Sequence, residues 1–258
     1  NTQLKVVLSA KEGKKIVLKT LPFGVEQPYY KTYTFILNEV AQKVSGLFVE
    51  PTDLWKALWT AFDISIINRN FYDEIKGAFT DLLKQLNKKG TPFTNEEDKV
   101  QFAIRLIGRI IFCWFLKRKE VLHDVAISSE AVKAHSQKNY YHDLLEPLFF
   151  DVLNTPEKER KGGLPKIIAH YPFLNGGLFD AQETDYKDHL LLNIDNDWFL
   201  SLFSKTLERY NFTVDENSSS NAEIAIDPEM LGRIFENLLA EQNPETGDSA
   251  RKATGSFY

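Results

Sequence analysis

The sequence has little of what several classes of protein require. It contains one cysteine, Cys113, so it can form no internal disulfide bond, and this predicts a reducing, cytoplasmic setting. It also lacks a basic surplus, because 36 acidic residues outnumber 31 lysines and arginines and give a formal net charge of -5. A domain that binds DNA by itself usually carries such a surplus, since phosphate contacts supply much of the affinity. Any contact with DNA is therefore expected to be local.

Motifs for catalysis, metal binding and membrane insertion are also missing. Neither a GxGxxG loop nor a Walker-type phosphate loop occurs, and the five histidines are scattered without a partner pair of cysteines. The longest apolar run, 102–116, is interrupted by Arg105 and Arg109. It is shorter than the about 20 apolar residues that span a bilayer. We therefore predict no catalytic residue, no metal site and no membrane contact in these residues.

What the sequence does contain is helical periodicity. Apolar residues recur at helical spacing in six stretches from about residue 29 onward: 31–46, 51–86, 95–119, 128–138, 140–152 and 198–210. Asn95 precedes three acidic residues and predicts the cap of a helix that is apolar on nearly every side, so this helix should lie at the centre of the core. The stretches 128–138 and 140–152 resemble surface helices, the second with apolar residues turned inward.

Strand signals are few. Two β-rich segments, 4–8 and 16–21, flank Gly13 and predict a hairpin, and the apolar run 190–194 predicts one short strand. The fold class predicted is mainly α, a multi-helix domain with an N-terminal β-hairpin. The segment 171–180 contains Asn175-Gly176-Gly177, which predicts backbone of positive φ. The side chains of its central part, Leu174-Asn175-Gly176-Gly177-Leu178-Phe179, cannot perform acid–base or nucleophilic chemistry, so we interpret it as an architectural corner.

Two groups of basic residues are candidates for contact with DNA. Arg105 and Arg109 are four positions apart and share one face of the apolar helix. They could be ion-pair partners within the core, because buried charges are normally paired, or they could reach a phosphate. The charged loop 155–163 carries the other three candidates, Lys158, Arg160 and Lys161.

The C-terminal end combines a helix with a small polar loop. Asp227 and Pro228 predict the cap and first position of a helix that runs to about residue 240, followed by a loop and a final turn. Six apolar residues fall on one face of this helix: Met230, Leu231, Ile234, Phe235, Leu238 and Leu239. The final turn reads Thr254-Gly255-Ser256-Phe257-Tyr258.

These segments together resemble the type IIG restriction–modification enzymes, in which a DNA adenine methyltransferase is fused to a nuclease. The family's helix Leu-Gly-x-x-Phe/Tyr-Glu-x-Leu-Leu resembles 231–239, and its Thr-Gly-x-Phe/Tyr-Tyr sequence resembles 254–258. Further likeness lies at 68–75, 105–119 and in Leu174-Asn175-Gly176-Gly177-Leu178-Phe179. The resemblance implies that Thr254, Gly255, Ser256, Phe257 and Tyr258 help to bind S-adenosylmethionine in the parent protein.

The same resemblance implies how the chain is organised. The glycine-rich cofactor loop and the Asn/Asp-Pro-Pro-Tyr/Phe motif of these enzymes do not occur here, so we expect this piece to be inactive alone and to hold no cofactor. We expect a β-hairpin at 1–25, a helical connector domain at 26–242 and a loop at 243–258 that leads into a methyltransferase domain. The connector would position nuclease and methyltransferase domains on DNA, in a parent with or without endonuclease activity. The alternatives are a stand-alone helical interaction protein and a stand-alone DNA-binding module.

Overall fold

A computed structural model describes residues 3–24, 30–45, 50–88, 90–123, 126–136, 139–174, 176–212, 221–223, 225–226, 230, 232–234 and 236–237. The architecture is mainly α with an antiparallel β-hairpin at the N-terminus, as the periodicity predicted. The chain divides into two compact units. The first comprises 1–73 and 208–230, and the second comprises 74–207 and 231–258.

The first unit contains the sheet. Strands β1 (Gln3–Glu12) and β2 (Lys15–Gly24) pair in register from Gln3 opposite Gly24 to Glu12 opposite Lys15. Gly13 has a φ of +62° in the turn between them, a conformation that glycine adopts without steric cost. Strand β3 (Asn221–Glu223) adds to β2 in parallel, so the described part of the sheet has three strands.

Two helices and an aromatic cluster complete the first unit. Helix α1 spans Lys31–Val44 and helix α2 spans Pro51–Ala61, while helix α3 (Ile64–Leu86) begins in this unit. The ring of Phe71 on α3 lies edge-on to Tyr210 at 5.1 Å and to Phe212 at 5.5 Å. These edge-to-face contacts stabilise the core beyond the burial of the rings themselves.

The predicted helical stretch 51–86 is two helices because Asp63 interrupts it. Helix α2 ends at Ala61, and the carboxylate of Asp63 accepts a hydrogen bond from the amide of Ser65 at 2.9 Å. A short acceptor side chain at this position satisfies an amide that a helix start leaves without a partner. Asp63 thus lies between the two helices and caps the start of the second.

The second unit is built around helix α4, Glu96–Arg118. Asn95 caps it by accepting the amide of Asp98 at 2.8 Å, as predicted. Fourteen of its 23 residues are buried, so the prediction of a central helix is confirmed. This unit also contains the part of α3 from Glu74 onward and helix α5 (Ser129–Ala134). It further contains a helix at 140–153 that is mostly π-helical (Tyr141–Leu145 and Leu148–Leu153), and helix α6 (Asn196–Ser201), which continues in the π-helical turns Leu202–Thr206.

The helix at 140–153 is a core helix rather than a surface one. Its inward residues Leu144, Leu145, Leu148 and Phe149 are buried as predicted, and so are Tyr140, Tyr141, Phe150, Val152 and Leu153. Burial on nearly all sides is typical of a helix that packs in the interior of a domain.

Two local predictions are wrong. Residues 190–194 form no strand: Leu190 and Leu191 lie in a turn and no neighbouring described segment pairs with the run. Leu190 is 94% exposed, whereas Leu192 and Ile194 are buried. Gly176 has an extended φ of -166° and Gly177 starts the 3₁₀ turn Gly177–Phe179, so neither of these glycines takes positive φ. Asn175, the first residue of the same motif, lies outside the described residues. Of the C-terminal helix, the described positions from Met230 to Asn237 are helical, with Met230 and Ile234 buried as predicted.

Candidate functional site

A buried ion-pair cluster joins helix α4 to the 3₁₀ turn Glu183–Asp185. The two oxygens of Asp185 accept from Arg105 Nε at 2.9 Å and from Arg109 Nη2 at 2.8 Å. Asp185 is fully buried, and the two arginine side chains are 9% and 2% exposed. Of the two roles that the sequence left open for these arginines, the structure shows the ion-pair role.

The same arginines fix the segment that precedes Asp185. Arg109 donates from Nε to the carbonyl of Leu178 at 2.9 Å and from Nη2 to that of Asp180 at 3.0 Å. Arg105 Nη2 donates to Thr184 Oγ1 at 2.5 Å. A guanidinium group presents five donors in a rigid fork, so it can hold several acceptors of one segment at once. The segment interpreted as an architectural corner is held to α4 in this way.

The carboxyl of Asp185 is ionised in this setting. Burial alone would raise its pKa, but the hydrogen bond from Arg109 and the charges of both arginines outweigh burial and lower the pKa below its usual value. The amide of Gln182 adds a hydrogen bond to Asp185 Oδ2 at 2.9 Å. The cluster is therefore a buried ion pair, and the deprotonated carboxylate of Asp185 has no proton to donate.

A second polar cluster lies on the helix at 140–153. Glu146, which is 3% exposed, accepts from His142 Nδ1 at 2.7 Å and from the amide of Asp188 at 2.9 Å. His142 Nε2 lies against the carbonyl of Leu192. Both ring nitrogens therefore face acceptors, which only the doubly protonated imidazolium can satisfy. The hydrogen bond to Glu146 is the largest cause of a raised pKa at His142.

The third feature is an open cleft beside the loop 157–164. Its volume is about 460 Å³, and its wall includes Glu157, Arg160, Lys161 and His170. Most of the N–H donors of Arg160 are bonded within the protein and do not face solvent. It donates to four main-chain carbonyls: Thr155 at 3.0 Å, Ala169 at 2.8 Å, Val152 at 3.1 Å and Tyr171 at 2.8 Å.

A family model described as "Domain of unknown function (DUF7814)" matches residues 65–224. The chain belongs to this family. All three features lie within the matched residues, so they are features of the DUF7814 region itself. The residues implied in cofactor binding, 254–258, lie beyond it.

The DUF7814 chain is also similar to a curated protein of Methanocaldococcus jannaschii. That protein is named "Putative type II restriction enzyme and methyltransferase RM.MjaORFECS2P", and it is 34% identical over 176 residues. The match covers 65% of this chain and 14% of the relative. No solved structure matches the chain.

The structure brings some of the predicted site residues together and separates others. Arg105 and Arg109 share Asp185 as a partner, whereas Lys158 and Lys161 are exposed on the charged loop beside Arg160. The cofactor-binding residues predicted at 254–258 lie outside the described residues. Cys113 is fully buried, as the apolar run around it indicated.

Sequence reasoning missed the partners Asp185, His142 and Glu146. Local signals for two of them exist: His142 and Glu146 are four positions apart on one helix, and Gln182 and Asp185 form a capping box. In the described part of the chain, no group of three His, Cys, Asp or Glu side chains is placed to hold a metal ion. No helix among the described residues is long and apolar enough to cross a membrane.

Proposed function

We propose that this chain is the helical connector region of a restriction–modification polypeptide of the type IIG class. It would hold a nuclease and an S-adenosylmethionine-dependent adenine methyltransferase in position on DNA, and it would not be catalytic alone. The observation that carries the proposal is the 34% identity to a protein named for both activities. Because the match covers 14% of that relative, the similar region is a small part of a much longer polypeptide.

The buried polar contacts support a connecting role. Within each cluster, the ionisable groups form hydrogen bonds to one another and to main-chain groups. Arg109, for example, bonds to the carbonyls of Leu178 and Asp180 and to the carboxylate of Asp185. Groups held in this manner fix the path of the chain, which is what a spacer between two catalytic domains requires. We propose the hairpin 1–25, the connector 26–242 and the loop 243–258 as its parts.

The cofactor belongs to the parent in this proposal. Thr254, Gly255, Ser256, Phe257 and Tyr258 would form one wall of an S-adenosylmethionine pocket, with Gly255 allowing close approach of the backbone and the two aromatic rings offering flat surfaces. The glycine-rich loop and the adenine-binding motif would come from residues that follow Tyr258. DNA and the two flanking catalytic domains are the proposed partners.

The reading frame after Tyr258 tests this proposal. We expect the next codons to encode Thr-Pro, followed within a methyltransferase-sized region by a glycine-rich loop and Asn/Asp-Pro-Pro-Tyr/Phe. A stop codon directly after Tyr258 would contradict the connector and favour a stand-alone helical protein.

Calorimetric titration tests the cofactor wall in the full-length parent. Tyr258→Ala should weaken the binding of S-adenosylmethionine, because it removes an aromatic packing surface. Cys113→Ala is the control, since Cys113 is buried in the helical core, and it should leave the affinity unchanged. Equal affinities for Tyr258→Ala and the unmodified protein would remove Tyr258 from the site.

A further inference from the structure

We propose that the cleft beside the loop 157–164 binds a phosphate of the DNA backbone, through Lys161 and the main-chain amides that follow it. This inference rests on the proposed function only in taking DNA as the partner. The cleft itself, its charge and its rigidity are properties of the described residues.

The walls of the cleft are fixed before any ligand arrives. Arg160 bonds to carbonyls on both sides of the loop, Val152 and Thr155 before it and Ala169 and Tyr171 after it. Tyr171 is in turn anchored by its hydroxyl, which donates to the carbonyl of His123 at 2.9 Å, and Ile168 is fully buried. A compact surface loop whose ends are held together in this way is an Ω-loop, and such loops are frequently functional.

The unbonded donors that the proposal uses are those of Lys161 and the two glycines that follow it. Lys161 is exposed and pairs with no acidic group among the described residues. Within the same part of the chain, the amides of Lys161, Gly162 and Gly163 donate to no acceptor. Gly163 has a φ of +96°, a conformation that residues with a Cβ rarely adopt. Successive free amides around a left-handed residue form a concave site for an anion.

The charge of the cleft suits a phosphodiester, and its open shape leaves room for the backbone of a duplex. Its volume is 460 Å³, and its titratable lining consists of Arg160, Lys161 and His170 against the single carboxylate of Glu157. The chain as a whole has a net charge of -5, so a DNA contact must use a local group of this kind. Arg160 acts as a positioning residue here, because four of its five N–H donors are bonded to carbonyls.

Fluorescence anisotropy with a short labelled DNA duplex tests the site with two variants, one that removes a positive charge and one that removes a negative charge. Lys161→Gln should weaken binding about ten-fold at low salt, and it should reduce the slope of log affinity against log salt by about 0.9, the value for one phosphate contact. Glu157→Gln removes the opposing carboxylate and should tighten binding about three-fold. Lys161 and Glu157 are exposed, and so is Lys133 on α5, where the control variant Lys133→Gln is made. The melting temperatures of the three variants should therefore agree with that of the unmodified chain.

Lys133→Gln alters the net charge as Lys161→Gln does, and it should leave both affinity and slope close to those of the unmodified chain. Equal effects of Lys133→Gln and Lys161→Gln would overturn the site, and so would a lack of DNA binding at low salt. Inorganic phosphate should displace the duplex better than chloride at equal ionic strength, because it presents the same oxygens to Lys161 and the free amides. Equal displacement by the two salts would contradict a phosphate site. These outcomes leave the connector proposal standing, because that depends on the codons after Tyr258.

Discussion

Asp185 and Arg109 are joined by a hydrogen-bonded ion pair of 2.8 Å in which neither side chain is more than 2% exposed. The two residues lie 76 positions apart, so this contact ties a loop to the central helix across a long stretch of chain. Arg105 shares the same carboxylate. One carboxylate thus compensates the charges of two buried guanidinium groups. Its removal should therefore destabilise the fold more than removal of either arginine.

Asp185→Ala should be strongly destabilising. Removing the acid leaves two buried cations without their partner, and breaking a buried pair in this way costs about 3–5 kcal/mol. The free energy of unfolding from chemical denaturation measures the effect. Asp81→Ala is the control, because Asp81 pairs with Lys84 at the surface, and it should cost at most about 1 kcal/mol. Similar losses for the two variants would mean that the buried cluster adds nothing to stability.

His142 should make stability depend on pH near neutrality. Its pKa in the folded state is raised, chiefly by Glu146, above the value of about 6.5 in the unfolded chain. The folded state therefore binds the proton more tightly, so the stabilising contribution is complete below about pH 6.5 and is lost as pH rises through the raised pKa. Asp143 and the carbonyl of Leu192 act in the same direction as Glu146.

The free energy of unfolding, measured from pH 6 to pH 9 on three proteins, checks this. The unmodified chain and His170→Gln, which changes an exposed histidine, should both lose stability as the pH rises. His142→Gln should have a flatter profile over the same range. Parallel profiles for all three would show that His142 is not protonated in the fold.

Cys113 should resist thiol reagents in the native protein. It is fully buried, and burial raises the pKa of its thiol far above the usual range, although the charge of Arg109 opposes the shift. Only the thiolate reacts, so modification must wait for the core to open. Because Cys113 is the only cysteine, a colorimetric disulfide reagent reports on it alone. We expect reaction in denaturant and little without it, and rapid native reaction would contradict the burial.

Arg160 should stabilise the loop that carries Lys161. Arg160→Lys keeps the charge but loses the planar fork that reaches four carbonyls, and we expect a loss of about 2–4 kcal/mol. Amide hydrogen exchange should also become faster between residues 156 and 171. Lys158→Arg, a charge-conserving change at an exposed position of the same loop, should alter neither measurement. Unchanged amide exchange in Arg160→Lys would show that the hydrogen bonds of Arg160 to the four carbonyls do not stabilise the loop.

The parts of the fold that were predictable from sequence are those set by local patterns. The hairpin, helix α1 and the cap at Asn95 follow from β propensity, apolar spacing and a side chain that satisfies a free amide. The strand predicted at 190–194 failed because an apolar run does not by itself provide a neighbour to pair with. There Leu192 and Ile194 pack inward while Leu190 stays in solvent.

The ion-pair cluster was half predictable for a similar reason. Two arginines on an apolar helix require acidic partners, and this much follows from the cost of burying a charge. The identity of the partner does not, because Asp185 lies 80 positions from Arg105 and only the tertiary fold brings them together. The hydrogen bonds of Arg160 could not be predicted from the sequence either, since their acceptors are main-chain carbonyls that carry no sequence signal.

Methyl transfer from radiolabelled S-adenosylmethionine to DNA tests the central claim most directly. The comparison is between this 258-residue chain and the polypeptide encoded by the complete reading frame that contains it. We predict that the complete polypeptide labels adenine in DNA and that labelling by the 258-residue chain stays at background. Labelling by the 258-residue chain alone, or none by the complete polypeptide, would contradict the assignment of this chain as a connector in a restriction–modification methyltransferase.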